Sequence, residues 1–183
     1  VFDIDLVADT VVWSDKLVSM LGLPAGTQPA GLGYWLDRLH PDDREEASAN
    51  FRASLDGVDT DLRNSWRIVR PDGEVRWFLM AARILRDGAG RAVRVVGVSV
   101  DIHDQKQLEE QVEEQLGFQQ ALIDAIPVPL FYKGADGRYI GFNRAYEQAF
   151  GVRRDQLVGK TVLDLDFLPP EQRMRFQGDN LQA

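Results

Sequence analysis

The sequence predicts an α+β domain in which two short strands and a set of helices precede a three-strand antiparallel meander. A long helix and the opening part of a second domain of the same kind follow. Landmark residues recur at an offset of 129 residues, the hydrophobic period switches from helical to two at Leu62, and a Gln- and Glu-rich stretch separates the copies. Val1-Phe2 falls on Leu130-Phe131, Trp13-Ser14 on Phe142-Asn143, Leu21-Gly22 on Phe150-Gly151, and Pro41-Asp42-Asp43-Arg44 on Pro170-Glu171-Gln172-Arg173. No gap is needed over roughly fifty positions, and chance does not readily supply four such matches in register.

The elements follow in order. Val1 to Leu6 alternates apolar and polar residues, and Thr10 to Trp13 forms a second short strand. Ser14 is a good N-cap for a helix carrying Leu17, Val18, Met20 and Leu21, with Gly22 as its stop. Leu32, Tyr34, Trp35, Leu36 and Leu39 predict another short helix. His40-Pro41-Asp42-Asp43 opens a third, because Pro is tolerated in a first turn and carboxylates there complement the dipole. Ala47, Phe51 and Leu55 form its apolar face, and Gly57 ends it. In the next strand Leu62, Asn64, Trp66 and Ile68 point one way and Arg63, Ser65, Arg67 and Val69 the other. Turns at Pro71-Asp72-Gly73 and at Asp87 to Gly90 set off strands at Val75 to Leu85 and Ala92 to Ile102. A meander needs its apolar face covered, and the preceding helices are the available cover.

His103 to Ala125 reads as a helical linker. Leu108, Val112, Gln115, Gln119, Leu122 and Ile126 step through a four-three heptad seam, with Leu116 and Ile123 alongside. Gly117 weakens the helix by about 1 kcal/mol relative to Ala. The reading is a parallel coiled coil between two copies, with a single amphipathic helix packed on its own domain as the alternative. The second copy then shows strands at Val128 to Lys133 and Arg138 to Phe142, and a helix from the Asn143 cap through Phe150. It stops at Ala183, inside the helix matching residues 41–54, with no counterpart to the meander. Half such a sheet cannot bury its own core, so the native protein is expected to continue beyond residue 183. A start at Val1 instead of Met suggests an excised fragment.

Composition narrows the function classes. With 44% hydrophobic and 27% charged residues the chain is globular, not disordered. A net charge of −8 argues against nucleic acid as a partner, since phosphate binding needs clustered Lys and Arg. The absence of Cys excludes disulfides, thiolate metal sites and Cys nucleophiles. No apolar run approaches the roughly 20 residues that span a bilayer, and no signal peptide opens the chain. A cytoplasmic setting is expected, any membrane anchor of the parent protein lying elsewhere.

Several segments together resemble one family. His40-Pro41-Asp42-Asp43-Arg44, Arg70-Pro71-Asp72-Gly73-Glu74-Val75-Arg76-Trp77 and the strand end Asp101-Ile102-His103, followed by Lys106 and Glu109, are similar to the PAS fold, in its HPDD and RPDGxxRW subclass. His103 stands where that family usually has Thr. The second copy is PAS-like at Ile126-Pro127, Asp136-Gly137-Arg138-Tyr139 and Asn143-Arg144-Ala145. The resemblance implies residues 1–102 as a PAS domain, 103–125 as a signalling linker or coiled coil, and 126–183 as the N-terminal part of a second PAS domain. It also implies an antiparallel five-stranded sheet with helices on one face, a small pocket between them, and output through the flanking helices. Such modules sit upstream of histidine kinases, or of enzymes that make and break cyclic dinucleotides.

Candidate site residues follow. Trp35, Phe51, Trp66, Phe78, Met80, Val96 and Val98 are candidates to line a pocket, although a packed core needs the same residues. Asp101, Ile102, Leu108, Val112, Gln115, Gln119 and Leu122 are the candidate signal relay. No cofactor is expected. A Cys-adduct flavin is excluded, and haem or non-covalent flavin finds no positive signal, since His40 belongs to the HPDD helix start and His103 to the junction. No metal site or catalytic residue is expected either. Asp42 and Asp43 are helix-start carboxylates, Asp3 and Asp5 alternate out of a strand, and no P-loop, HExxH or GxSxG occurs. The arginines from Arg63 to Arg94 read as a solvated sheet edge paired with acidic groups such as Asp42 or Asp43, with a docking face or anion-binding mouth as the sharper alternative. The expected function is a non-enzymatic sensory module. It detects a small ligand or protein partner and relays a conformational change to a downstream output domain of the same polypeptide, as a homodimer through the linker helix and PAS faces. A ligand-free dimerisation module is the alternative, and a small stand-alone enzyme a remote one.

Overall fold

The computed structural model describes residues 1–165 together with 169, 171 and 173. The chain forms two compact units that divide between Glu109 and Glu110. The first contains β1 (Phe2–Asp5), β2 (Thr10–Trp13), α1 (Asp15–Met20), α2 (Leu32–Leu36), α3 (Arg44–Asp56), β3 (Asp61–Val69), β4 (Val75–Arg86) and β5 (Ala92–Asp101). The division falls inside α4 (His103–Asp124), so the segment expected to be a separate linker at 103–125 belongs in part to each unit. No helix of the described residues is long and apolar enough to cross a membrane.

The first unit's sheet is antiparallel throughout, in the order β2-β1-β5-β4-β3. Paired residues on neighbouring strands share a face, so the register sorts side chains into cross-strand rows. One inward row is Trp66–Phe78–Asp101, the next Asn64–Met80–Ser99, and a third runs Leu62–Ala82–Gly97–Phe2–Trp13. Phe78, Ile84 and Val95 from the sheet are buried with Leu17, Val18 and Ala47 from the helices. Ser14 caps α1, its Oγ accepting from the Leu17 N–H. The expected helix from Pro41 begins instead as a 3-10 turn, Pro41–Asp43, before α3. Asp43 makes no helix-capping bond there, because its carboxylate is held by Arg67.

Both margins of this sheet are occupied at one position each. On β2, the Gln28 amide accepts from the Trp13 N–H at 3.0 Å and donates to the Trp13 carbonyl at 3.1 Å, as a neighbouring strand would. On β3, the His40 N–H donates to the Arg67 carbonyl and the Val69 N–H to the Arg38 carbonyl, bringing the buried Leu39 against Ile68.

Gly97 answers to packing. A Cβ at this position would lie 2.5 Å from the Ala81 carbonyl oxygen and 2.6 Å from the Phe2 ring, which crosses the glycine. Gly97→Ala should cost about 2 kcal/mol by overpacking, read as a lower urea midpoint at unchanged slope.

The second unit contains the rest of α4, β6 (Phe131–Lys133), β7 (Tyr139–Phe142), α5 (Arg144–Phe150) and α6 (Arg154–Leu157). Phe142, Leu157, Val162 and Tyr139 form its buried core. The repeat appears in the geometry. Phe131 pairs with Phe142 as Phe2 pairs with Trp13, and Asn143 caps α5 as Ser14 caps α1. The strand expected from Val128 starts only at Phe131, because the Val128 carbonyl and the Leu130 N–H are bonded to the Asn143 side chain. The expected helix start at Pro170 and Gln172 lies outside the described residues.

Candidate functional site

A cavity of about 50 Å³ lies between the inner face of the first unit's sheet and helices α1 to α3. Phe78, Met80, Trp66, Ile4 and Val95 line it from the sheet, and Leu17, Trp35, Ala47 and Phe51 from the helices. Trp35, Phe51, Trp66, Phe78 and Met80 are thus where the strand and helix periods place them. Val96 and Val98 are corrected: they do not line the cavity, and Val98 is exposed. The residues of β5 that face inward are Val95, Gly97 and Ser99, fixed by pairing of Met80 with Ser99 and of Phe78 with Asp101.

Two polar side chains enter this apolar lining, Asn64 on β3 and Ser99 on β5. They flank Met80 in one cross-strand row, and neither side chain bonds to a described residue. The lining holds no imidazole and no charged group. His40 sits at the 3-10 turn, its Nδ1 accepting from the Asp42 N–H, and His103 lies at the start of α4. Cofactor-sized sites run to about 300–1,000 Å³, so the residues as placed do not fit haem or a flavin. No group of residues that could hold a metal occurs among the described residues.

At the end of β5 the structure builds an ionic junction around Asp101. Its Oδ2 accepts from Arg76 Nε at 2.7 Å and lies 3.4 Å from Arg70 Nη2, while its Oδ1 accepts from the His103 N–H at 3.0 Å. Arg76 also reaches Asp104 in the first turn of α4 and Glu74 in the β3–β4 turn. Arg70 donates to the Met20 carbonyl at the end of α1 through Nε and Nη2. The bond to Asp101 holds the Arg76 guanidinium above its ordinary value. Ile102 is fixed by its N–H, which donates to the Trp77 carbonyl. One carboxylate therefore ties together α1, the β3–β4 turn, β5 and the start of α4.

The other arginines of the cluster, Arg63 apart, are also paired. Arg67 binds Asp43 and holds that carboxyl below the usual carboxylate range. Arg86 closes the end of α3 through the Ser54 and Leu55 carbonyls, and Arg83, Arg91 and Arg94 pair with Asp61, Asp87 and Asp3. The paired reading of this cluster is the one the structure supports. Along α4, Leu108, Val112, Gln115, Gln119 and Leu122 are exposed, Val112 at 47%.

In the second unit, Asn143 is fully buried. Its Oδ1 accepts from the Leu130 and Tyr146 N–H groups. Its Nδ2 donates to the carbonyls of Val128 at 2.8 Å, Ile126 at 3.0 Å and Ile123 at 3.4 Å. The side chain thereby clamps the end of α4 and the segment after it to the start of α5. Asp124 adds a bond from the Arg144 N–H.

Profiles of the PAS fold match residues 10–99 and residues 123–182. The chain belongs to the PAS family. Sensor protein FixL of Bradyrhizobium diazoefficiens is 31% identical over 171 residues, which is 93% of this chain and 33% of that protein. The two-component sensor PprA of Pseudomonas aeruginosa is 25% identical over 150 residues, 82% of this chain and 16% of PprA. The PAS tandem thus spans a third or less of these relatives. Among solved structures, a sensory box histidine kinase/response regulator from Burkholderia thailandensis superposes with a TM-score of 0.55 at 24% identity, over 66% of this chain and 88% of that one. The N-terminal domain of a diguanylate cyclase with PAS/PAC sensor from Marinobacter aquaeolei gives 0.51 at 23%, over 57% and 95%. Both share the PAS sheet and helices.

Sequence reading of the PAS domains missed Ser99, the Asp101 partners Arg70 and Arg76, and the reach of Asn143. Asn64 had left a signal, as the one polar residue on the otherwise apolar face of β3.

Proposed function

We propose that the chain is a non-enzymatic sensory and relay segment, whose first PAS domain detects a small ligand or partner and shifts the packing of α4. The observation that carries this reading is the shared inner face of β5. Ser99 lies in the cavity row, and Asp101, two residues and about 7 Å further along the strand, holds the start of α4. A change in cavity occupancy that shifts β5 bears directly on the Asp101 bonds to Arg76 and His103. The signal then runs along α4 to the Asn143 clamp and onward to an output domain of the same polypeptide, a histidine kinase first and a cyclic-dinucleotide synthase or phosphodiesterase next. Stimulus can move this equilibrium only by its differential affinity for the two states.

The working form is a homodimer through α4 and the PAS faces, in the cytoplasm. The exposed apolar residues Leu108, Val112 and Leu122 on α4, with Val98 and Val100 on the outer sheet face, support it. Gln115 and Gln119 in the seam keep two helix packings close in energy. Gln115→Leu combined with Gln119→Leu should lock one packing and make output independent of stimulus, measured as autophosphorylation or cyclase activity of the full-length parent. A double variant that still responds fully would overturn the relay through this seam. The same exposed residues favour a second reading, dimerisation without a ligand.

A further inference from the structure

We infer that the cavity of the first PAS domain takes a compact neutral molecule, apolar at one end and bearing an amide or hydroxyl at the other, bound between Asn64 and Ser99. The inference rests on the reading of this cavity as the sensory site and specifies what that site accepts.

Size comes first. A water needs about 10–15 Å³ of such space, so a cavity of about 50 Å³ takes a molecule of only a few non-hydrogen atoms. Met80 stands between the two polar residues in the row, and its unbranched thioether side chain is the part of the wall best able to yield.

Charge comes second. No Lys, Arg, His, Asp or Glu lines the cavity, so a carboxylate or ammonium inside would be left uncompensated. The charged groups of the same sheet face are spoken for, Asp101 and Arg76 being bonded to each other. That selects against ions of either sign.

Hydrogen bonding comes third. The Asn64 amide and the Ser99 hydroxyl each donate and accept, and neither bonds to a described residue. Both residues are half-buried and border the cavity, so a polar group of a ligand adds bonds there without displacing any existing one. A ligand group that both donates and accepts, set against the Met80 row, matches either residue. Asn64 and Ser99 stand two strands apart, about 10 Å at the backbone, so an amide spans toward both with its NH₂ and carbonyl, whereas a hydroxyl meets one of them. The remaining wall is hydrocarbon and suits a short alkyl end.

The experiment titrates the whole chain with propionamide and, separately, with sodium propionate, followed by backbone amide NMR. Propionamide should give saturable shifts at Asn64, Met80 and Ser99. Propionate, of the same size but charged, should bind at least tenfold more weakly. Ser99→Ala, which removes a single oxygen, and Asn64→Leu should each weaken propionamide several-fold, and together at least tenfold. Ser99→Ala keeps the test open should Asn64→Leu fail to fold. Equal binding of amide and carboxylate, unchanged affinity in the variants, or no saturable shift because the cavity holds water alone would each overturn the inference. Such a failure is separable from failure of the relay, which is read in the output of the full-length parent with the α4 variants.

Discussion

Asn143→Ala should destabilise the second unit by about 3 kcal/mol, the largest effect expected of any single substitution considered. The side chain is fully buried and serves five backbone groups, two N–H and three carbonyls. Truncation removes the partner of the Leu130 N–H and of the Ile126 and Val128 carbonyls, while the Tyr146 N–H keeps the Asn143 carbonyl and the Ile123 carbonyl keeps the Ile126 N–H. Each orphan costs about 1–3 kcal/mol, partly relieved by water and relaxation. The repeat supplies its own control. Asn143→Ser places at this cap the residue found at Ser14, which accepts from the Leu17 N–H and has no amide to donate. It should restore the cap of α5 but not the hold on Ile123, Ile126 and Val128, and so recover less than half the loss. Urea unfolding checks the energies, and hydrogen exchange at the last turn of α4 checks the clamp. A loss under about 0.5 kcal/mol in Asn143→Ala, the level of an ordinary surface change, would refute this account.

Asp101→Ala should cost about 2 kcal/mol and free the start of α4. Asp101 and Arg76 are both largely buried, at 19% and 18% side-chain exposure, so the guanidinium loses the nearest and most buried of its three carboxylates, keeping only the more exposed Glu74 and Asp104. The His103 N–H loses its acceptor at the same time. Combined with Arg76→Ala, the effects should be less than additive, with a coupling of about 1 kcal/mol in a double-mutant cycle. Hydrogen exchange should quicken at residues 103–106 while the centre of β4 stays protected. Strict additivity of the two substitutions would show that this contact carries no coupling between sheet and helix.

The architecture was legible because its signals are local. Leu62 to Val69 alternates cleanly, the turns at Pro71-Asp72-Gly73 and Asp87 to Gly90 use residues those turns demand, and the 129-residue offset recovers the pairing of Phe131 with Phe142. The last strand was not legible in the same way. Val96, Val98 and Val100 make its outward face look like the core side, whereas Gly97 and Ser99 on the inward face do not. Only pairing to β4, a contact distant in sequence, decides which side faces the helices. Burial of the more apolar face yields here to register, and the glycine is needed for the Phe2 ring. The Asp101 junction was half legible, since the strand end stood out but Arg70 and Arg76 reach it across the sheet from 31 and 25 residues away. Asn143 announced itself as a cap, yet its three bonds to the preceding segment depend on how that segment folds back.

The latch made by Gln28 on Trp13 matters most in a chain that carries two similar copies. β7 presents Phe142 to Phe131 as β2 presents Trp13 to Phe2, so during synthesis either strand is a plausible mate for either partner, and tandem repeats are prone to such exchange. The residue matching Gln28 at the 129-residue offset is Leu157, which has no amide and is buried in the core of its own unit. In the second unit the carbonyl at this position, that of Phe142, is met instead by the Arg154 guanidinium. The same margin is closed by an amide in one copy and by a guanidinium in the other.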